Sequence, residues 1–352
     1  MSRLPNGYIG VEYIESSGTQ YINTGFMATG YPVKYHVLYR HDVGLDRESL
    51  FGSRETNPQR DSGWAYGRTD GYISIYIGES IVTIGAQKVG EVNDLTLEVT
   101  SDTEFSYSVN GVAGNGVYSG SKSVGIPQYL FALNVDGGAR FQSKVKMYAF
   151  SITERGNLVR DFVPCISPNN EVGMYDTVTA TFFGNSGSGA FVAGAIRMDS
   201  LITDRASHDV DRVKILSAKA WQDMTTEERA EWLSPMKGSY NYTDLNRVES
   251  AVAFVAGRLQ EFGYLSYIPE IRIWSAEDVP TEADLFRYFG NVATLRSAIA
   301  VWESTPEAPG SIDGFGANKA NALEQILVDV DLVLTRISQA WFYSGELYAG
   351  EV

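Results

Sequence analysis

The sequence predicts a multidomain protein: an all-β domain over residues 1–195, followed by a mainly α-helical domain over residues 196–352. Three observations lead to this prediction. The length of 352 residues exceeds that of one typical domain. Apolar residues recur at every second position in the first part and at every third or fourth position in the second. Glycines and turn residues separate the runs of the first part, whereas capping residues open those of the second.

The first domain has the pattern of short strands joined by tight turns. In three stretches, apolar and aromatic residues occupy alternate positions and would share one face of a strand: Val33, Tyr35, Val37 and Tyr39; Leu95, Leu97 and Val99; Phe105, Tyr107 and Val109. The last stretch ends at Asn110-Gly111, which favours a two-residue hairpin turn because both positions need positive φ. Residues 72–77 are rich in β-formers but alternate only partly, and further strands are predicted at 129–133, 144–152, 158–163 and 179–191. Many short strands of this kind predict a sandwich or a barrel.

The second domain has the period of helices. Val248, Val252, Val255, Leu259 and Phe262 are separated by steps of 4, 3, 4 and 3, and similar steps connect Leu323 to Trp341. Capping residues and breakers predict helices from Thr203 to about Trp221, from Thr225, from Thr243 to Phe262, from Pro280 through Leu295 and over 323–341, with a loop at 304–310. The spacing favours a bundle within the chain over a coiled-coil seam between chains.

The charge is negative in both domains. The net charge is −15; residues 1–195 hold 14 basic and 19 acidic side chains, and residues 196–352 hold 14 and 24. Both domains would repel a polyanion, which argues against nucleic acid and anionic membrane as partners. No apolar run approaches the roughly 20 residues that cross a bilayer, so membrane insertion is not expected. The first residues lack the apolar core of a signal peptide.

The motifs of nucleophilic, phosphate and zinc chemistry are missing. Cys165 is the single cysteine, which excludes an intramolecular disulfide, and its apolar neighbours predict a small buried hydrophobe. Residues 184–189 are rich in glycine but lie between strands and lack the lysine of a phosphate cradle, so a turn is predicted. No Gly-x-Ser-x-Gly elbow occurs. The spacing of the 3 histidines suits neither a zinc site nor a triad: His36, His41 and His208.

Acidic residues were weighed as catalytic pairs and as calcium ligands. A retaining glycosidase needs two carboxyl groups about 5 Å apart in a cleft. The candidates are Asp102 with Glu104, Asp42 with Asp46, and the acidic residues from Glu91 through Glu98. Asp102 follows turn residues, which favours a solvated turn, so no catalytic residue is predicted. Loop aspartates suit Ca²⁺, but their spacing matches no EF-hand, so surface acids are favoured and no metal or cofactor is predicted: Asp42, Asp46, Asp61, Asp70 and Asp136.

Aromatic residues are set among glycines in residues 63–72. An apolar ring face beside fixed polar groups is the chemistry that binds a sugar ring. The candidate ligand-binding residues are therefore Trp64, Tyr66, Arg68, Asp70 and Tyr72. The alternative, in which these rings belong to the core or the rim of the sandwich, stays open.

Five strings are distributed over residues 12–194: Glu12–Gly25, Leu50–Arg54, Leu158–Cys165, Val172–Asp176 and Phe182–Phe191. In combination they resemble the concanavalin A-like, laminin-G-like jelly-roll domains of bacteriophage and prophage structural proteins from Gram-positive bacteria. Residues 55–130 depart most from that pattern. The strings Tyr240–Glu249 and Trp341–Tyr348 resemble a helical region at the C terminus of related phage tail-type proteins. The resemblance implies a jelly-roll sandwich of two antiparallel sheets, with residues 11–26 pairing near 179–193.

The resemblance also implies a virion component. Because no signal peptide is recognised, we expect it to be made in the bacterial cytoplasm, and because no active site is recognised, we expect it not to be an enzyme. The first hypothesis is a tail or host-adhesion protein whose lectin-like domain contacts host-surface glycan or another virion protein. Its helical domain would serve attachment or oligomerisation; a homo-oligomer is expected, and a trimer would favour a fibre or tail tip. The second hypothesis is a capsid decoration or head-fibre protein that uses the jelly roll for packing alone. The third, a glycan hydrolase, is disfavoured because no catalytic pair was found.

Overall fold

The computed structural model describes residues 4–43, 47–56, 59–68, 70–120 and 125–349, with side chains described except at 59–64 and 341–349. The described residues form two compact units. One is Gly10–Ala195, and the other combines the described parts of Met1–Ile9 and Ile196–Val352. The first unit consists of strands and the second is mainly helical, which confirms the predicted fold class.

The strands are short to medium in length. In chain order they are β1 Ile9–Gly10, β2 Ile14–Glu15, β3 Ile22–Asn23, β4 Val33–Arg40, β5 Ser49–Thr56, β6 Gln59–Gly67, β7 Tyr72–Gly78, β8 Ser80–Ala86, β9 Val92–Val99, β10 Glu104–Val109, β11 Val112–Val117, β12 Tyr129–Leu130, β13 Leu133–Val135, β14 Gly138–Arg140, β15 Lys146–Glu154, β16 Asn157–Ile166, β17 Val172–Asp176, β18 Thr181–Phe183 and β19 Val192–Ala193.

Two sheets share one hydrophobic core, which makes the β unit a sandwich. The first sheet has the order β11-β10-β9-β4-β15-β16-β17-β18, with β2 beside β15 and β19 beside β2. The second sheet has the order β14-β13-β5-β6-β7-β8, with β12 joining β5 to β3. Alternate residues of each strand point into the core, as predicted for β4, because successive side chains of a strand face opposite ways. Examples are Val33, Tyr35, Val37 and Tyr39 of β4 and Ile73, Ile75 and Ile77 of β7.

The two ends of the β unit lie side by side, as the resemblance implied. In the β2–β19 pair, Glu15 lies opposite Val192. The chain that follows β2 continues this contact, because the N–H of Ser186 donates to the carbonyl of Tyr21 at 2.8 Å. The glycine-rich segment between β18 and β19 is the turn that was predicted. A Cβ added at Gly187 would lie 2.2 Å from the carbonyl oxygen of Thr19, so only glycine permits this close approach.

Two local predictions in the β unit are confirmed. Asn110 and Gly111 have φ of 51° and 82° and join β10 to β11 as a two-residue hairpin turn. Cys165 is fully buried in β16, and burial raises the pKa of its thiol.

The helical unit has five helices in its described part. They are α1 Ser207–Ser217, α2 Thr226–Leu233, α3 Tyr242–Glu261, α4 Glu282–Ala298 and α5 Ala317–Ala349, with short 3-10 turns at Met198–Ser200 and Trp221–Asp223. Thr225 caps α2 and Thr281 caps α4, as predicted. Gly263, with φ of 77°, follows α3 as the predicted stop.

The predicted starts of two helices are wrong. α1 begins after Ala206, whose N–H donates to Asp209 at 2.8 Å. Asp204 instead forms an ion pair with Lys237, 3.0 Å away, and therefore does not cap a helix. α3 begins after Asn241, whose side chain accepts from the N–H of Thr243. The predicted capping pair Thr243-Asp244 thus lies inside the first turn of α3.

The apolar stripes of α3, α4 and α5 form the core of the helical unit. α3 contributes four of its five predicted positions; the fifth, Phe262, lies just beyond the end of the helix and is only partly buried. α5 turns slightly away from its predicted stripe: Leu327 and Leu334 are buried, while Val333 and Ile337 are only partly covered. Trp341 ends the predicted stripe of α5, but its side chain lies outside the described part. In the described part of the chain, no helix combines the length and the apolar character that a bilayer crossing requires.

Candidate functional site

The outer face of the second sheet, the face turned away from the core, carries aromatic and polar side chains. Along β7 the isoleucines at 73, 75 and 77 belong to the core. The residues between them, Tyr72, Ser74 and Tyr76, therefore lie on the opposite face. This strand alternates strictly, whereas the sequence predicted only partial alternation, because two tyrosines and one serine occupy the outer positions.

Neighbouring strands extend this face in rows. Tyr66 of β6 lies opposite Ser74, and Ser74 lies opposite Thr83 of β8. The hydroxyl oxygens of Ser74 and Thr83 are 3.2 Å apart. Tyr66 and Ser74 are both buried. Tyr66 packs with Leu133 in a small cluster that is separate from the main core. The rings of Tyr66 and Tyr76 are 5.5 Å apart between centroids, so together they form an apolar floor.

Two arginines are placed around this floor. The guanidinium of Arg54 lies over the ring of Tyr76, 4.8 Å from its centroid. Arg68 forms a two-bond ion pair with Asp70, with Nε at 3.1 Å from Oδ1 and Nη2 at 2.7 Å from Oδ2. The third nitrogen, Nη1, donates to the hydroxyl of Thr83 at 3.3 Å. The bonds to Asp70 and Thr83 hold the Arg68 fork in one orientation.

The electrostatics of the Arg68–Asp70 pair follow from its contacts. The guanidinium of Arg68 holds the pKa of Asp70 below its usual value, and Asp70 in turn raises the pKa of Arg68. The N–H of Tyr72 also donates to Asp70, at 3.3 Å. Arg68, Asp70 and Tyr72 therefore form a single charged turn between β6 and β7, and the ring of Tyr72 is 46% exposed beside it.

The structure places the predicted site residues on the neighbouring strands β6 and β7 and on the turn that joins them, but in different environments. Arg68, Asp70 and Tyr72 are at the surface, whereas Tyr66 is in the buried floor. Trp64 lies opposite Tyr76 in the β6–β7 register, and its side chain lies outside the described part. Their role as ligand-binding residues stays a prediction.

Four residues of this face were not predicted: Arg54, Ser74, Tyr76 and Thr83. The pairing of β5, β6, β7 and β8 brings them there from separate parts of the sequence. A sequence signal existed for Tyr76, because it occupies the same phase of alternation as Tyr72. Arg54 and Thr83 carry no such signal, since their neighbours across the sheet cannot be identified from the chain alone.

Chemically, this outer face offers donors, acceptors and an exposed ring. The guanidinium groups donate, the carboxylate of Asp70 accepts, and the hydroxyls of Thr83 and Tyr76 can do both. A ligand dense in hydroxyl groups, with one apolar ring face, matches such a set.

Two of the acidic residues considered as catalytic or calcium-binding candidates, Asp42 and Asp136, have local partners. Asp42 lies 2.7 Å from both Arg40 and Lys146, which lower its pKa. Asp136 accepts from the N–H and the hydroxyl of Thr56, which lowers its pKa. Asp46 and the Asp61 side chain lie outside the described residues. Within the described ones, no group of three or more potential ligands could hold a metal ion.

The histidines have separate surroundings. His36 contacts Asp94 at 3.1 Å, the buried His41 contacts the carbonyl of Val43 at 2.8 Å, and the side chain of His208 is 81% exposed.

No family model matches this chain, and no curated protein matches it in sequence. Several solved structures resemble part of it. A Ruminococcus gnavus IT-sialidase CBM40 bound to α2,3-sialyllactose matches with 12% identity and a TM-score of 0.35, covering 40% of this chain and 89% of its own. The NanB sialidase of Streptococcus pneumoniae matches with 11% identity and a TM-score of 0.34, covering 53% of this chain and 39% of its own. A SAP-like pentraxin from Limulus polyphemus matches with 10% identity and a TM-score of 0.31, covering 41% and 74%. Similarity at this level carries no information about the ligand of this chain.

Proposed function

We propose that the β unit is a lectin-like module that binds glycan on the outer face of the second sheet. One observation carries this proposal: the oriented Arg68–Asp70 pair and the exposed ring of Tyr72 lie on the sheet face that also holds Arg54 and Tyr76. Glycan recognition needs fixed hydrogen-bonding groups beside an apolar ring. Because the ion pair already orders the Arg68 side chain, less conformational entropy of that side chain is lost when a ligand binds.

We further propose that the chain is a structural protein of a phage virion, in the tail or the host-adhesion apparatus. The support for this part is the combination of sequence strings from Glu12 to Phe191, together with those of the helical unit. The helical unit would attach the module to other virion proteins or assemble it as a homo-oligomer. Separation of heads and tails of such a virion, followed by mass spectrometry, tests the location; a signal on heads alone favours the capsid decoration alternative.

The proposal does not include catalysis. The support is chemical. The carboxylate of Asp70 is paired with Arg68, and this ion pair lowers the pKa of Asp70. A carboxyl group with a lowered pKa suits a hydrogen-bond acceptor better than a proton donor. An assay for product release from host cell-wall polysaccharide tests this part. Release that Asp70→Asn or the Asp102→Asn/Glu104→Gln double variant abolishes would establish a hydrolase.

The binding proposal is tested on the full chain with a glycan array and with host cells. Arg68→Ala and Tyr72→Ala are each expected to weaken binding by about tenfold, since each removes one oriented contact. Lys34→Ala is the matched control, because Lys34 belongs to β4 of the other sheet and its side chain is 44% exposed. Circular dichroism checks that each variant is folded. If binding is unchanged in both site variants, or is lost equally in the control, then the outer face of the second sheet is not the glycan-binding site.

A further inference from the structure

Residues 268–275 of the helical unit, between α3 and α4, are neither helix nor strand nor turn. The backbone of this segment is fixed at two points. Both the N–H and the carbonyl of Trp274 bond to the side-chain amide of Asn246, at 2.7 and 2.9 Å. The carbonyl of Glu270 accepts from Arg287 and Asn291 of α4, each at 2.8 Å. The three residues between these points are therefore held in place by α3 and α4.

The contacts of the side chains indicate an extended backbone. The guanidinium of Arg272 lies 4.2 Å from the ring centroid of Trp274, as expected for residues two apart on one face of a strand. Ile271 and Ile273 lie on the other face, and they are 40% and 75% exposed. Exposed apolar side chains along an extended backbone are a feature of strand edges that pair with another chain.

The backbone groups of the same two residues are also open. In a strand the N–H and carbonyl of alternate residues point to the same edge. Because Glu270 and Trp274 bond towards α3 and α4, the groups of Ile271 and Ile273 point to the opposite edge. Within the residues that the structure describes, the N–H and carbonyl groups of Ile271 and Ile273 take part in no hydrogen bond.

The surrounding charge defines what could pair with this edge. Residues 261–284 contain one basic side chain, Arg272, which is bound to Asp278 at 2.8 Å and to Asp284 at 3.0 Å. The remaining acidic residues of this stretch are exposed and form no ion pair with described residues: Glu261, Glu270, Glu277 and Glu282. A second copy of the chain would bring the same negative charge to the contact, whereas a basic partner would be attracted.

We propose that Ile271–Ile273 is an edge for β-strand addition, and that its occupant is an extended segment of a partner protein with alternating apolar residues and basic flanks. The partner strand would bond to the open N–H and carbonyl groups of Ile271 and Ile273 and cover their side chains. The segment is preorganised by Asn246, Arg287 and Asn291, which reduces the entropy lost on binding. This inference concerns the helical unit and is independent of glycan binding.

The test uses the full chain and a labelled synthetic peptide with valine at alternate positions, threonine between them and paired lysines at both ends. Fluorescence anisotropy is expected to show saturable binding that weakens when glutamate replaces the lysines. It should be lost when proline replaces the central valine, because proline removes a backbone donor.

Variants of the chain distinguish binding at this edge from nonspecific hydrophobic binding. Ile273→Ser is expected to weaken binding by roughly tenfold, as for the loss of a covered isoleucine. Ile273→Pro removes the N–H without breaking a described bond, and it should abolish binding. Val279→Ser is the control, since Val279 is an 83% exposed apolar residue of the same region, outside the segment. Equal binding by the Ile273 variants and the parent would overturn the proposal. A second result would also overturn it: the peptide fails to bind, and light scattering shows self-association of the parent chain that Ile273→Ser abolishes. The occupant of the edge would then be a second copy of the chain.

Discussion

Arg247 and Glu324 form a two-bond ion pair inside the helical unit. Nε and Nη2 of Arg247 lie 2.9 Å from Oε2 and Oε1 of Glu324, and the two side chains are 1% and 0% exposed. Asp244 and Arg205 complete the cluster, with Arg205 2.7 Å from Glu324 and 2.9 Å from Asp244. Burial lowers the pKa of Arg247, but the carboxylates of Glu324 and Asp244 outweigh burial and raise it, so Arg247 keeps its charge inside the unit.

Removing one charge from this balanced cluster is expected to destabilise the helical unit. Glu324→Gln leaves the buried guanidinium groups with one carboxylate, so the free energy of unfolding should fall by about 3–5 kcal/mol. Urea denaturation of the full chain, followed by far-UV circular dichroism, measures this loss. The control is Asp211→Asn, which removes an exposed pair with Lys214 and should cost less than about 1 kcal/mol. Similar losses in both variants would contradict a special role for the buried cluster.

The closing turn of the β unit is predicted to depend on Gly187. In Gly187→Ala the new methyl group would lie 2.2 Å from the carbonyl oxygen of Thr19, a backbone atom that cannot rotate away. We expect a loss of about 1–3 kcal/mol, the cost of a forced backbone shift. Calorimetry of the full chain measures it. In the control, Gly138→Ala, the nearest atom to the new methyl is 3.5 Å away, so little change is expected. A normal melting temperature for Gly187→Ala would disprove the close approach.

The first turn of α4 is predicted to make stability depend on pH. The hydroxyl and N–H of Thr281, which donate to Asp284, and the nearby Arg272 lower the pKa of Asp284 to about 2 from 3.8. A carboxyl whose pKa is lower in the folded state stabilises the protein above its unfolded pKa. That stabilisation is lost as pH falls from about 4 towards 2. Thermal unfolding across this range should show a flatter acid limb for Asp284→Asn than for the parent.

Glu282→Gln is the control for that pH dependence. Glu282 lies in the same first turn and is exposed. Its variant should keep the acid limb of the parent. If both variants have the parent's profile, Asp284 does not contribute.

The thiol of Cys165 is predicted to be unreactive in the folded protein. The side chain is fully buried, so a reagent cannot reach the sulfur. Burial also raises the pKa of the thiol, so little of the reactive thiolate forms. An aromatic disulfide reagent at mildly alkaline pH should label it only after denaturant is added. Val112→Cys, at a position that is 69% exposed, is the positive control and should react at once. Rapid labelling of the parent chain would show that β16 opens readily.

Local chemistry explains which predictions succeeded. The Asn110-Gly111 hairpin, the caps at Thr225 and Thr281 and the stop at Gly263 depend on residues that are near one another in sequence. The starts of α1 and α3 failed because several residues there can cap a helix. At α1 a distant contact selected among them, because Asp204 is bound by Lys237. At α3 the choice was local: Asn241 is the N-cap, and Asp244 completes its cap by accepting from the N–H of Asn241 at 3.0 Å.

The division into a β part and a helical part was determined by the sequence itself, because the periods of two and of three to four residues are properties of neighbouring positions. The sequence also indicated Arg68, Asp70 and Tyr72 as candidate site residues, because they are near one another in the chain. Only the tertiary structure decided that Arg54, Tyr76 and Thr83 join them on one face, and that Asn246 and Arg287 hold Ile271–Ile273 extended. Strand order, register and helix packing bring together residues far apart in the chain, and no local pattern encodes those pairings.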